Sequence, residues 1–152
     1  MGYTHYWTYI RHFSDDEWSQ ISASFGKMLK MSPVQLTLCA GCGRGISDGR
    51  EGDIQFNGYA EDGYEYMVLK KNDTIGAFNF CKTARKPYDG DVVALLCIAH
   101  HHAPGALSIS SDGSMEEWKP GMDFAEEILE AKIDRNSLRT DTDSDSSDEY
   151  RT

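Results

Sequence analysis

The run Val92-Val93-Ala94-Leu95-Leu96-Cys97-Ile98-Ala99 has no polar face. An element that is apolar all round must be enclosed on every side, so it sets the centre about which the rest of the chain packs. At this length it fits a buried helix or a buried strand, and periodicity does not separate the two. Its flanks favour the helix. Pro87 suits a first helical residue, because it lacks the N–H that would be orphaned there. His100-His101-His102 and Gly105 suit a C-terminus, where cations and a left-handed glycine are both favoured.

The other elements follow from local patterns. Residues 3–11 are aromatic and β-branched, as a strand requires. Ser14-Asp15-Asp16-Glu17 is a capping box, and Trp18, Ile21, Phe25, Met28 and Leu29 recur at helical spacing, which predicts a helix over 15–30 closed by Pro33. Leu36-Thr37-Leu38 is a short strand entering a glycine-rich loop from Gly41 to Gly52. Residues 54–57 and 64–69 alternate as a hairpin around Glu61-Asp62-Gly63. Residues 78–81 and 107–110 make two more strands, the second ended by Ser111-Asp112-Gly113. A third helix is predicted over 121–133 with Phe124 and Ile128 inward. The order β-α-β-β-β-β-α-β-α implies an α+β fold with a mixed or antiparallel sheet and helices packed on one face. One domain over residues 1–135 and a disordered acidic tail over 136–152 are expected.

Charge narrows the partners. The 152 residues carry a formal net charge of −10. The segment 140–152 contributes −4, through Asp141, Asp143, Asp145, Asp148 and Glu149 against Arg151, and leaves −6 elsewhere. Such a balance argues against general binding to nucleic-acid phosphates. No run approaches 18 apolar residues, so no membrane span is expected. Residues 1–7 lack the basic and apolar regions of a signal peptide, and His5-Tyr6 stands where a myristoylation motif needs a small hydroxyl residue. The expected compartment is the cytoplasm, where the four cysteines would be thiols or metal ligands.

The densest chemical signal is Cys81-Lys82-Thr83-Ala84-Arg85-Lys86-Pro87. Three cations fall within five residues of an acidic chain, at the expected passage from a strand into a helix N-terminus. Orphan N–H groups and the positive dipole end make that place an anion site, and Arg85 can grip a phosphate or carboxylate with two hydrogen bonds. Cations alone cost about 0.3–1 kcal/mol each there, which an anion would relieve. The alternative is a solvated loop whose cations pair with the chain's own carboxylates. Cys81 beside Lys82 and Arg85 is a candidate nucleophile or a small core residue, and its Cys-x3-Arg spacing is not the Cys-x5-Arg of phosphotyrosine phosphatases.

Cys39-Ala-Gly-Cys42 has the form of a zinc knuckle, and Cys97 with His100, three apart on a helix face, would complete a Cys3His site. Free thiols are the competing reading. His5 alternates with Tyr3 and Trp7 on one strand face, opposite Thr4 and Tyr6, and is either an acid/base group or a structural histidine. Asn57-Gly58 and Asp112-Gly113 are turn pairs that also offer polar groups to a ligand. Thr142 and Ser146, each with an acid three residues on, have the form of acidophilic kinase sites.

The opening Met1-Gly2-Tyr3-Thr4-His5-Tyr6-Trp7, the Phe56-Asn57-Gly58 strand end and Phe80-Cys81-Lys82-Thr83-Ala84-Arg85-Lys86-Pro87-Tyr88-Asp89 together resemble a family of small hypothetical proteins of bacteria, phages and some fungi. Ser110-Ser111-Asp112-Gly113 followed by Trp118 is similar to that family's ending. The resemblance covers roughly residues 1–125 and implies no activity. Cys39, Cys42 and the acidic tail depart from its pattern.

The leading expectation is a small domain binding an anionic small molecule, phosphorylated or not, through Lys82, Arg85 and Lys86, with His5, Asn57 and Asp112 around it. No cofactor is expected, and nothing in the sequence decides whether the domain is an enzyme. One alternative is a protein-interaction module acting through its acidic surface and tail. Another is a zinc-stabilised domain.

Overall fold

The computed structural model describes residues 2–38 and 53–141. Its elements are strand β1 (Thr4–Tyr9), helix α1 (Asp15–Met31), strands β2 (Leu36–Leu38), β3 (Ile54–Gly58), β4 (Met67–Leu69) and β5 (Phe78–Lys82), helix α2 (Asp89–His102), strand β6 (Leu107–Ser111) and helix α3 (Met115–Leu129). The fold is α+β in the expected order, with one added 3-10 turn at Ala60–Asp62. Among the described residues no helix is long and apolar enough to cross a membrane.

The strands form two antiparallel three-stranded sheets, β5-β1-β6 and β2-β3-β4. A single sheet was expected. The chain divides after β4 because β5 pairs with β1 rather than with its neighbour in sequence, which makes β1 the centre of its own sheet.

The apolar run is a helix, as its flanks indicated. Every residue of α2 from Asp91 to His100 is buried. Both sheets and the other two helices share one core with it. Phe25 of α1 stacks on Phe56 of β3 at 5.7 Å, and Phe56 meets Tyr88 edge-on. Gly121 lets α3 lie close to α2, since a Cβ there would stand 2.5 Å from the Val93 side chain. In α1 the Ser14–Glu17 capping box forms with both of its hydrogen bonds.

Three boundaries move. Helix α2 begins at Asp89 with Tyr88 as N-cap, because Lys86 N–H to Thr83 O and Asp89 N–H to Lys86 O draw Pro87 into a preceding tight turn. Helix α3 begins at Met115, not Gly121, because a second capping box at Ser114 and Glu117 starts it earlier and Pro120 is carried inside it. It ends at Leu129, where Glu130 turns left-handed. The chain also stays packed beyond residue 135, with Leu138 and Arg139 buried. The expected disordered tail therefore cannot start at 136. Residues 142–152, with Thr142 and Ser146, lie outside the described residues.

The histidine run forms the last turn of α2, as expected, but burial opposes a charge on two of its members. Burial lowers the pKa of both His100 and His102. Each is a tether instead, His100 to Ser137 at 3.0 Å and His102 to Ser24 of α1 at 2.9 Å.

Candidate functional site

Strand β1 divides its side chains as the period-2 pattern requires. Tyr3, His5, Trp7 and Tyr9 point into the core. Thr4, Tyr6 and Thr8 therefore lie on the outer face, and antiparallel register places Phe78, Thr8 and Ser108 in one row, Phe80, Tyr6 and Ser110 in the next, and Lys82 beside Thr4 at the end. Asp112 closes that last row: its carboxylate accepts from Thr4 N–H and Tyr6 OH, each at 3.0 Å. Among the described residues, this face is left uncovered at its β5 side. Phe78 is 62 % and Phe80 55 % exposed, with Tyr6 stacked on Phe78 at 5.7 Å.

The two edges of this sheet differ. Thr83 N–H donates to Tyr3 O and Tyr9 N–H to Ala77 O, so the odd-numbered residues of β5 bond to β1. By alternation, the main-chain groups of Phe78, Phe80 and Lys82 point away from the sheet. Glu65 takes up those of Lys82, its N–H donating to Lys82 O and its carboxylate accepting from Lys82 N–H at 2.7 Å. Phe78 and Phe80 have no such partner among the described residues.

The β6 edge is closed by the chain's own C-terminal segment. Thr140 N–H donates to Ile109 O at 2.8 Å, and Ser111 N–H to the Asp141 carboxylate at 3.0 Å. Arg139 donates to Gly113 O at 2.7 Å and Ser111 O at 3.3 Å, and grips Asp141 through two bonds of 2.8 Å. Its guanidinium also lies over the Trp118 ring.

The basic junction is organised around anions of its own. Asp89, first residue of α2, fills the helix N-terminus with a carboxylate that accepts from Thr83 Oγ1 and bonds His5 Nε2 at 2.7 Å. Arg85 pairs with Glu117 at 2.6 Å and stacks on Tyr3, 3.9 Å from its ring centre. Ala84 and Arg85 both have positive φ, 54° and 59°, a strained conformation for residues with a Cβ. Lys82 lies over the Tyr64 ring at 5.6 Å. The ammonium groups of Lys82 and Lys86 have no carboxylate partner among the described residues.

His5 is wholly buried between Ser111 and Asp89, with its Nδ1 2.7 Å from Ser111 Oγ. The side-chain order Ser-His-Asp is that of a hydrolase triad, but its hydrogen-bond count is not. Ser111 Oγ already accepts from Gly113 N–H at 2.9 Å and Trp118 Nε1–H at 3.0 Å. Both lone pairs are used, so the hydroxyl donates to His5 Nδ1 and the ring proton belongs on Nε2, facing Asp89. Ser111 Oγ is thus held by three partners in the core. The set is a polar brace through the core, and it requires Gly113, where a Cβ would collide with the Tyr3 hydroxyl.

The six expected ligand residues thus do not converge. Lys82 and Asp112 share the outer face, His5 lies behind it, and Arg85 and Lys86 sit in the turn beyond β5. Asn57 is in the other sheet, where its Oδ1 accepts from Gly58 and Tyr64 N–H and its Nδ2 donates to Tyr64 O. Burial raises the Cys81 thiol to about 12, which suits packing and not nucleophilic attack. Of the four possible zinc ligands, Cys39 and Cys42 lie outside the described residues. Cys97 is buried in the core with its thiol pKa raised, and His100 Nε2 is bonded to Ser137.

Two features had no forewarning in the sequence. Asp91 is buried in the first turn of α2, its Oδ2 lacks a partner, and burial pushes its pKa up to about 6. An open groove of about 570 Å³ lies at the end of α3, lined by Asp123, Glu126, Glu127, Glu130, Ala131 and Lys132. Most of its charge is already matched: Asp123 and Glu126 pair with Arg135, and Glu130 with Lys27. No family model matches the chain, and no curated protein or solved structure is detectably similar to it.

Proposed function

We propose that this domain is a protein-binding module that works through the open edge and outer face of the β5-β1-β6 sheet. One observation carries the reading: an edge strand presents two phenylalanines more than half exposed beside main-chain groups that have no partner among the described residues. Native sheets blunt such edges with charge, proline, bulges or a covering segment, because bare edges recruit other strands. Residues 74–81 have no charged side chain and no proline, in a chain with 40 charged residues. Exposed apolar surface of this kind marks an interaction site, and strand addition is the mode that uses both side chains and main chain. A photo-activated benzophenone residue at position 80 should cross-link to protein far more than one at exposed position 127. Equal yields at the two positions would remove the reading.

An anionic ligand is the second reading, and it rests on Lys82 and Lys86. Arg85 and the α2 N-terminus support it less, because Glu117 and Asp89 occupy them. Melting in the presence of phosphate, sulfate or nucleotides should raise the midpoint, and Lys82→Ala with Lys86→Ala should cancel the shift. Equal shifts in both proteins would place the anion elsewhere. For the zinc reading, elemental analysis after gentle purification gives a direct answer.

A further inference from the structure

We infer that the occupant of the β5 edge is the same edge of a second copy of this chain, paired antiparallel across a two-fold axis. The inference rests on the protein-binding reading and names its partner.

Among the described residues of β5 only Phe78 and Phe80 offer free outward main-chain groups, since Glu65 occupies those of Lys82. Two such residues, two apart, are self-complementary. With the axis through Asn79, Phe78 of each copy faces Phe80 of the other, and every outward N–H and C=O of the four residues is bonded. An extended peptide satisfies these groups equally well, but it does not reproduce the side-chain match. The two-fold sets four phenylalanine rings as direct cross-strand pairs, an arrangement that favours aromatic residues.

Charge agrees with this arrangement. The uncharged run is bounded by Asp73 at one end and Lys82 at the other. Antiparallel pairing turns the Lys82 end of each copy towards the Asp73 end of the other, and the net charge of −10 is kept off the contact. The closed surface is isologous, so association stops at the dimer instead of growing into a fibre.

The area sets the strength. Four rings, each about half exposed, remove roughly 400 Å² from water, taking a full aromatic side chain as about 200 Å². Main chain and neighbouring residues add to that, but the sum stays below the ~1,200 Å² of a stable interface. The dimer is accordingly weak, and its test must reach high concentration.

Sedimentation of the whole chain from micromolar to near-millimolar concentration should show the mean mass rising from 17.1 kDa towards twice that value. Phe80→Pro removes an outward N–H that the monomer does not use, and edge positions tolerate proline. It should weaken association at least ten-fold, whereas Phe80→Leu, which keeps the N–H, should weaken it less. In the unaltered protein the Phe78 and Phe80 amides should exchange hydrogen more slowly as concentration rises, which tests the pairing even if the proline variant fails to fold. A monomer at every concentration, or amides whose exchange ignores concentration, would overturn the inference. If the monomer still cross-links at position 80 to a different protein, self-pairing is wrong and the binding reading stands. With neither self nor foreign adducts, both fail.

Discussion

The two edges of the β5-β1-β6 sheet face the same physical problem and meet it differently. At β6, Thr140, Asp141 and Arg139 supply donors and acceptors to Ile109, Ser111 and Gly113, so the strand has a covering of its own. At β5 the covering among the described residues stops with Glu65, and Phe78 and Phe80 are exposed. A chain able to seal one edge with three residues has the means to seal the other. On the proposed reading, the open edge is kept for pairing and the closed one belongs to stability.

If that division is right, substitutions at the two edges should separate by size. The largest effect is expected for Arg139→Ala, which leaves the Ser111 and Gly113 carbonyls without their partner and frees Asp141. Loss of a buried charged donor of this kind costs about 2–4 kcal/mol, measurable by denaturant unfolding. A change under 0.5 kcal/mol would mean that the β6 edge is not held by this residue. Ser111→Ala should come next, at about 1–3 kcal/mol, because Trp118 Nε1, Gly113 N–H and His5 Nδ1 all lose a partner.

Acid separates the edges in another way. Burial lowers the His100 pKa below 6.5, so its contribution is complete above that value and declines as pH falls, when the unfolded chain takes up the proton first. Since His100 holds Ser137, the Ser111 and Thr140 amides should lose protection at pH 5 relative to pH 7, after correction for intrinsic exchange. Asp91 works in the opposite sense. With a folded pKa of about 6 against an ordinary 3.8, it penalises the fold at neutral pH and releases that penalty as pH falls towards 4. Asp91→Asn should therefore stabilise the protein at pH 7, by at most about 3 kcal/mol, and leave the histidine effect exposed. No gain at pH 7 would show that this carboxyl is solvated. The smallest effect belongs to the open edge: Phe80→Lys should change monomer stability by less than about 0.5 kcal/mol.

Much of the fold was legible because it depends on local rules. The Ser14 capping box and the 3.6-residue spacing from Trp18 to Leu29 specify α1, and the flanks of the apolar run, not the run alone, specify α2 as a helix. The start of α3 lies earlier than the expected residue 121, at a capping signal, Ser114 and Glu117, of the same kind as Ser14 and Glu17. The sheet partition depends on which strands meet, and nothing local says that β1 pairs with β5 and β6. The site suffered for the same reason. Clustering of Lys82, Arg85 and Lys86 was visible, but not that Glu117 and Asp89, distant in sequence, would stand beside them. Alternation along residues 78–82 was also visible, yet which face would stay uncovered is settled by the helices.

The placement of β1 bears on how the molecule is made. Its neighbours in the sheet, β5 and β6, arise late: His5 pairs with Cys81 and with Ser111, the latter 106 residues away in sequence. The central strand is synthesised before anything it pairs with, and pairing over such spans is slow because long loops must close before any contact rewards them. Until α2 and β6 emerge, Trp7 and Tyr9 have no core to enter, so a nascent chain would need protection along this stretch.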